Sequence, residues 1–140
     1  MDFKNIHIGE LIHNRVLESG IDIFRICKFM NFLEDEIYAM YTLKSLDSET
    51  ILRWSKLLEY DFFRIYTQHL ILYAPVLAQN QSDEKQKSDL PKFRKNIYTK
   101  EIIDFILNLI ETGEKTKTQV IEEYRIPKTT LYKWFSKYKP

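Results

Sequence analysis

Residues 116–138, TKTQVIEEYRIPKTTLYKWFSKY, decide how the chain folds. Thr116 and Gln119 stand at capping-box spacing, so each side chain can satisfy the other residue's free backbone amide. Val120, Ile121 and Tyr124 then recur at the period of a helix. Ile126-Pro127 makes a tight connection, and Pro127 suits the first turn of a following helix, where a missing N–H costs nothing. Leu131, Trp134, Phe135 and Tyr138 fall on one side of that helix. A helix, a turn of a few residues and a second helix, each with inward residues, is the helix-turn-helix layout. The second helix of that layout enters the major groove of a duplex. Its outward positions here are Lys128, Thr129, Thr130, Tyr132, Lys133, Ser136 and Lys137. Lysines and short hydroxyls near a helix N-terminus reach phosphates and base edges, and Tyr132 can donate to a phosphate or stack.

Working outward, Thr99 caps a helix through Ile102, Ile103, Ile106, Leu109 and Ile110, with Gly113 at its end. Lys92, Arg94 and Lys95 precede it as a basic arm suited to the backbone or the minor groove. Before that arm runs QNQSDEKQKSDLP, residues 79–91, with almost nothing to bury. It reads as a polar linker whose ends lie roughly 20 Å apart if it is a flexible coil.

The front of the chain is helical too. Ile8, Leu11, Ile12, Arg15 and Val16 mark a helix stopped by Gly20, and Ile23, Ile26, Cys27 and Met30 a short one capped by Asp22. Leu33 to Lys44 is a third, with Glu34, Asp35 and Glu36 in its first turn, where carboxylates suit the helix dipole. Asp47 or Ser48 caps a fourth, and Asp61 opens a fifth. The expectation is an all-α protein of two small helical modules. A bundle of about five helices occupies 1–78, the linker 79–91, and a basic three-helix module 92–140.

Composition narrows the chemistry. Three Gly and four Pro in 140 residues are too few for a turn-dense β sandwich. A single Cys rules out a disulfide framework and suits a reducing, cytoplasmic setting. The longest apolar stretch, Leu70 to Ala78, is broken by Pro75 and far short of the roughly 20 residues a membrane span needs. His7, His13 and His69 lack metal-ligand spacing, Cys27 lies on an apolar stripe, and successive carboxylates point in different directions on a helix. No metal, cofactor, small-molecule substrate or catalytic role is expected. The net charge of +1 hides an asymmetry. Residues 1–75 carry 8 Lys+Arg and 11 Asp+Glu, residues 76–91 carry 2 and 3, and residues 92–140 carry 11 and 6. The balances are thus −3, −1 and +5, a basic module for a polyanion joined to an acidic one.

Residues 98–138, ending IPKTTLYKWFSKY, resemble the trihelical module at the start of insertion-sequence transposases. Leu131 and Trp134 fill that family's Leu-x-x-Trp positions, and Thr130 and Lys133 fall where it contacts DNA. Arg125 stands where such turns commonly have Gly, and Pro127 where they often have Ser. Residues 8–66 more distantly resemble phage-repressor-like helix-turn-helix domains, through the opening Ile8-Gly9-Glu10-Leu11-Ile12, the short helix near Cys27, and Glu34 to Tyr41 in the recognition position. Asn31 replaces the turn Gly, and three carboxylates begin the would-be reading helix, where they would oppose phosphates. The resemblance implies the fold there, with base reading lost; Tyr38, Lys44 and Arg53 are the candidate DNA contacts it leaves.

The function implied is binding of double-stranded DNA, as a transcriptional regulator or as a non-catalytic, transposase-associated recognition protein of a mobile element. RNA is a weaker fit, since no sheet with stacking aromatics is expected. Leu70, Ile71, Leu72, Tyr73, Val76 and Leu77 make an apolar run that is either packed on the core or the interface of a homodimer. The alternative class is a protein-interaction adaptor or dimerisation module that keeps the helix-turn-helix fold without DNA binding, which the acidic front and this apolar run would serve.

Overall fold

A computed structural model describes residues 2–74, 89–91 and 98–138. Every regular element among them is an α-helix: α1 (Ile8–Ser19), α2 (Ile23–Met30), α3 (Glu34–Tyr41), α4 (Ser48–Leu58), α5 (Phe63–Tyr73), α6 (Lys100–Glu111), α7 (Lys117–Tyr124) and α8 (Lys128–Tyr138). The protein is all-α. It divides into two compact units, Met1–His69 and Leu70–Pro140, and the division falls inside α5. The last turn of that helix therefore belongs with the second unit, nine residues earlier than the boundary expected after residue 78. Residues 79–88 of the expected linker lie outside the described residues, and Asp89, Leu90 and Pro91 are exposed.

In the first unit α1 packs on α3 and α4, and α2 packs on the same two helices. Ile8, Ile12, Ile26, Met30, Ile37, Ile51, Trp54, Leu58 and Phe62 form the core. Trp54 is fully buried, and its indole Nε1 donates to Met40 Sδ at 3.4 Å. The opening Ile8-Gly9 has a specific physical cause. A helix begins with amides that lack intrahelical partners. Here the Ile8 and Gly9 amides donate to the carbonyls of Lys44 and Leu43, at 3.1 and 3.0 Å, just beyond α3. That approach is so close that a Cβ on residue 9 would lie 2.4 Å from the Met40 carbonyl oxygen. Only glycine fits. The Glu10 amide is taken by His7 Nδ1 at 3.1 Å, which makes His7 the N-cap.

The caps read from the sequence largely hold. Asp47 Oδ1 accepts from the Thr50 amide at 2.8 Å, and Thr99 Oγ1 from the Ile102 amide at 3.4 Å. Thr116 and Gln119 form the reciprocal capping box, at 3.1 and 2.8 Å. Gly20 and Gly113 both take left-handed backbone, with φ of 67° and 78°. Four details differ from expectation. Asp22 sits at the N-cap of α2 but its side chain makes no cap bond. The third helix ends at Tyr41, because the Thr42 amide turns back to Ala39 and the following carbonyls go to α1. Pro127 precedes α8 instead of standing in its first turn, its carbonyl accepting from the Leu131 amide at 3.1 Å. Cys27, placed on an apolar stripe, is only half-buried, packed against the edge of the core.

The second unit is built on α6, which packs against α8. Ile102, Ile106, Leu107, Val120, Ile126 and Leu131 are its most deeply buried side chains. Tyr98 meets Trp134 edge-on at 5.1 Å between ring centres, and Tyr73 meets Tyr124 edge-on at 6.2 Å. Burial raises the phenol pKa of Tyr98 and of Tyr124 above the ordinary value.

Candidate nucleic-acid interface

Helix α7 ends where Arg125 takes left-handed backbone, with φ 53°. Ile126 follows, buried, then Pro127, and α8 begins at Lys128. The turn is three residues long, the length a helix-turn-helix requires. Leu131 and Trp134 point inward from α8 and are buried. This fixes the rotation of the helix about its axis, so the residues between them must face out. Lys128, Thr129, Lys133, Ser136 and Lys137 are exposed, Tyr132 is 45% exposed, and Thr130 is half-buried. The structure thus puts all seven sequence-predicted positions on one helix, six of them open to solvent. There is no carboxylate anywhere in α8.

One functional candidate escaped the sequence reading. Lys117, in the first turn of α7, lies over the rings of Tyr132 and Phe135, at 5.3 and 4.6 Å from Nζ to the ring centres. Lys128 also lies over Tyr132, at 5.6 Å, and Lys137 over Tyr138 at 5.2 Å. Each ammonium is held near an aromatic face, an attraction of roughly 0.5–1 kcal/mol at an exposed site. The ring stems of α8 therefore orient a group of cations, with Lys117 added from the neighbouring helix. No spacing rule within one helix links residue 117 to residues 132 and 135, so no sequence signal marked it. Lys115, by contrast, is paired with Glu123, and that hydrogen-bonded carboxylate raises its pKa. It is not a free cation of this face.

The basic arm, Lys92, Arg94 and Lys95, lies outside the described residues. The apolar run divides. Ile71 and Leu72 are buried, 4% and 1% exposed, so a partner cannot reach them and that half of the self-association surface is withdrawn. Leu70 and Tyr73 are exposed, and Val76 and Leu77 lie outside the described residues.

The same turn occurs twice. In the first unit α2 ends at Asn31 with φ 61°, half-buried Phe32 and then Leu33 follow, and α3 starts at Glu34. Adding 94 to each number gives Arg125, Ile126, Pro127 and Lys128. The flanking helices α2 and α7 are both eight residues long. Ile26, Met30, Ile37 and Met40 are buried where Val120, Tyr124, Leu131 and Trp134 are. The carbonyls of Leu33 and Pro127 both accept the first i to i−4 bond of the next helix, from the amides of Ile37 and Leu131, at 3.0 and 3.1 Å. Tyr38 and Tyr132 occupy the same outward place, both exposed. What differs is charge: Glu34-Asp35-Glu36 stand where Lys128-Thr129-Thr130 do. The shared register is invisible in the residue identities but plain in the burial pattern.

The three candidate contacts of α3 and α4 fare differently. Tyr38 donates its hydroxyl to Glu34 Oε1 at 2.8 Å, a bond to the neutral phenol that raises its pKa. The guanidinium of Arg53 donates to the carbonyls of Phe29 and Met30, at 3.1 and 2.5 Å, and lies over the ring of Phe32. It closes the C-terminus of α2, so a phosphate contact is replaced by a structural one. Lys44 is exposed.

The three histidines all have structural partners: His7 caps α1, His13 stacks on Tyr41 at 4.4 Å, and His69 Nδ1 lies 2.6 Å from the Phe3 carbonyl oxygen. Among the described residues no three His, Cys, Asp or Glu side chains are grouped to hold a metal ion, and no helix is long and apolar enough to cross a membrane. No family model matches the chain, and neither a curated protein nor a solved structure matches it.

Proposed function

We propose that the protein binds double-stranded DNA through α8, as a transcriptional regulator or as a non-catalytic recognition protein of a mobile element. One observation carries the reading: a helix-turn-helix whose second helix exposes Lys128, Lys133 and Lys137 with Thr129 and Ser136, and has no carboxylate of its own. Buried Leu131 and Trp134 anchor it so that this face must meet the outside. Lysines neutralise phosphates and release counterions, the sequence-independent part of affinity, while Thr129, Thr130 and Tyr132 are placed for base edges and sugar-phosphate. Lys117 joins them as a backbone contact from α7. The resemblance of residues 98–138 to the transposase module supports the same assignment, through Leu131, Trp134, Thr130 and Lys133.

The test is fluorescence anisotropy of the full chain on random duplex across a salt series. Lys133→Ala and Lys137→Ala should each weaken binding on any sequence and reduce the salt slope by about one. Thr130→Ala should leave the slope alone. Absence of binding at low salt, or slopes unchanged by both lysine substitutions, refutes the proposal. A second reading concerns the first unit: Glu34, Asp35 and Glu36 occupy the reading position of the same backbone motif and are exposed. That end of α3 is suited to a basic protein surface and not to a duplex.

A further inference from the structure

The first unit carries a groove that neither the core nor the α8 interface uses. It is lined by Arg25, Lys28 and Phe29 of α2, Lys56 and Leu57 of α4, and Glu59 just beyond. Phe29 is 45% exposed and Leu57 half-buried, so the floor is apolar, while three cations and one carboxylate stand around it. Any occupant must bring an apolar group and an excess of negative charge. The chain itself displays such an element. Leu33 is 73% exposed, and Glu34, Asp35 and Glu36 follow it directly, all exposed. Asn31's left-handed turn holds Leu33 at the N-cap of α3, and the Glu36 carboxylate accepts from the Leu33 amide at 3.2 Å, so the knob is fixed.

The knob begins close in sequence to the groove: Leu33 follows Phe29 by only four residues, across the α2–α3 turn. A protruding element cannot fold back into a groove that near, but a second copy can exchange the two. A two-fold axis that set each knob in the partner's groove would give a closed, self-complementary contact. We infer that the first unit forms a homodimer in which Leu33 of one copy sits on Phe29 and Leu57 of the other, and Glu34 and Asp35 face Arg25, Lys28 and Lys56. This is a different surface from the apolar run after residue 70, and it does not depend on DNA binding. The α8 face offers the same carboxylates lysines but no open apolar floor for Leu33, since Lys117 and Lys128 lie over Tyr132.

Sedimentation equilibrium of the full chain without DNA tests this. The wild type should dimerise with an affinity that weakens as salt rises, as charge pairs at a rim require. Lys28→Glu/Lys56→Glu and Glu34→Lys/Asp35→Lys should each weaken self-association at least about tenfold, while Lys133→Glu/Lys137→Glu leaves it unchanged. Mixing the first two variants should restore a heterodimer, which misfolded proteins would not do. Leu33→Ser should also dissociate the dimer while leaving the melting temperature of the dilute monomer within a few degrees, since the side chain is exposed. A wild type that stays monomeric at high concentration and low salt assigns the groove to some other acidic partner and overturns the inference. So does failure of the mixed variants to pair, or a dimer lost only when Lys133 and Lys137 are reversed.

Discussion

Arg125 offers a direct test of the turn that positions α8. Its φ of 53° lies in the left-handed region, where an L side chain crowds the following carbonyl. That conformation costs roughly 1–2 kcal/mol for a residue with a Cβ and almost nothing for glycine. Arg125→Gly removes the strain but also frees the unfolded chain, which offsets about 0.4–1 kcal/mol of the gain. The net expectation is a stabilisation of about 0.5–1 kcal/mol. For a unit spanning residues 70–140 that corresponds to a rise in melting temperature of about 3–6 °C. Two companions separate backbone from side chain. Arg125→Ala keeps the strain and removes only an exposed guanidinium, so it should stay within about 0.5 kcal/mol of the wild type. Arg125→Asn should fall between Ala and Gly, because Asn tolerates left-handed backbone. Differential scanning calorimetry and urea unfolding of the full chain read all three. Equal stabilities for Gly and Ala, or a less stable Gly variant, would show that the turn does not hold residue 125 in this conformation, and the account of how α7 connects to α8 would fail.

Other consequences are as specific. Gly9→Ala should cost about 3 kcal/mol or more, since the added carbon would meet three backbone carbonyl oxygens within 2.7 Å; loss of the first unit's transition, with the second unit's helical signal retained, is the outcome to seek by circular dichroism. Arg53→Ala should cost roughly 1–2 kcal/mol by removing the donors to Phe29 and Met30, whereas DNA affinity at matched stability should not move. Burial lifts the Tyr41 phenol to about 12. The folded state then holds that proton more tightly than the unfolded chain, so stability should fall as pH rises from about 10 towards 12. Ultraviolet titration should show a latest-titrating tyrosine that Tyr41→Phe removes, together with a flatter alkaline stability profile.

Much of this architecture was legible because caps are local. Asp47, Thr99 and the Thr116–Gln119 pair act within three residues of themselves, so spacing alone locates α4, α6 and α7. The unit boundary was not local. An apolar run from Leu70 onwards says that something will be buried, not by what; Ile71 and Leu72 are buried, and both fall within the second unit. Left-handed backbone was legible at Gly20 and Gly113, where the residue type advertises it, marked at Asn31 and Arg125 only because the resembled turns carry Gly there, and silent at Glu59. The candidate interface divided in the same way. Periodicity fixed the outward face of α8, because Leu131 and Trp134 fix the inward one. Lys117 was missed, since its neighbours Tyr132 and Phe135 lie on another helix, and Arg53 was misjudged because its partners are carbonyls, which sequence does not distinguish.

The repeated turn bears on what a helix-turn-helix can be taken to mean. Two segments of this chain solve the same packing problem with the same register: a left-handed residue, an apolar residue, a carbonyl that starts the next helix, and buried positions six and nine residues on. Nothing in that geometry favours a polyanion. The favour comes from what the free face carries, and here the faces carry opposite signs. If DNA recognition resided in the backbone arrangement, α3 and α8 would serve equally. If it resides in the charge, Lys128-Thr129-Thr130 reads a duplex and Glu34-Asp35-Glu36 repels one. Exchanging the charges decides between them: Glu34→Lys/Asp35→Thr/Glu36→Thr should raise non-specific affinity and steepen its salt slope, while Lys128→Glu/Thr129→Asp should nearly abolish binding. A chain whose affinity ignored both exchanges would owe it to neither helix face.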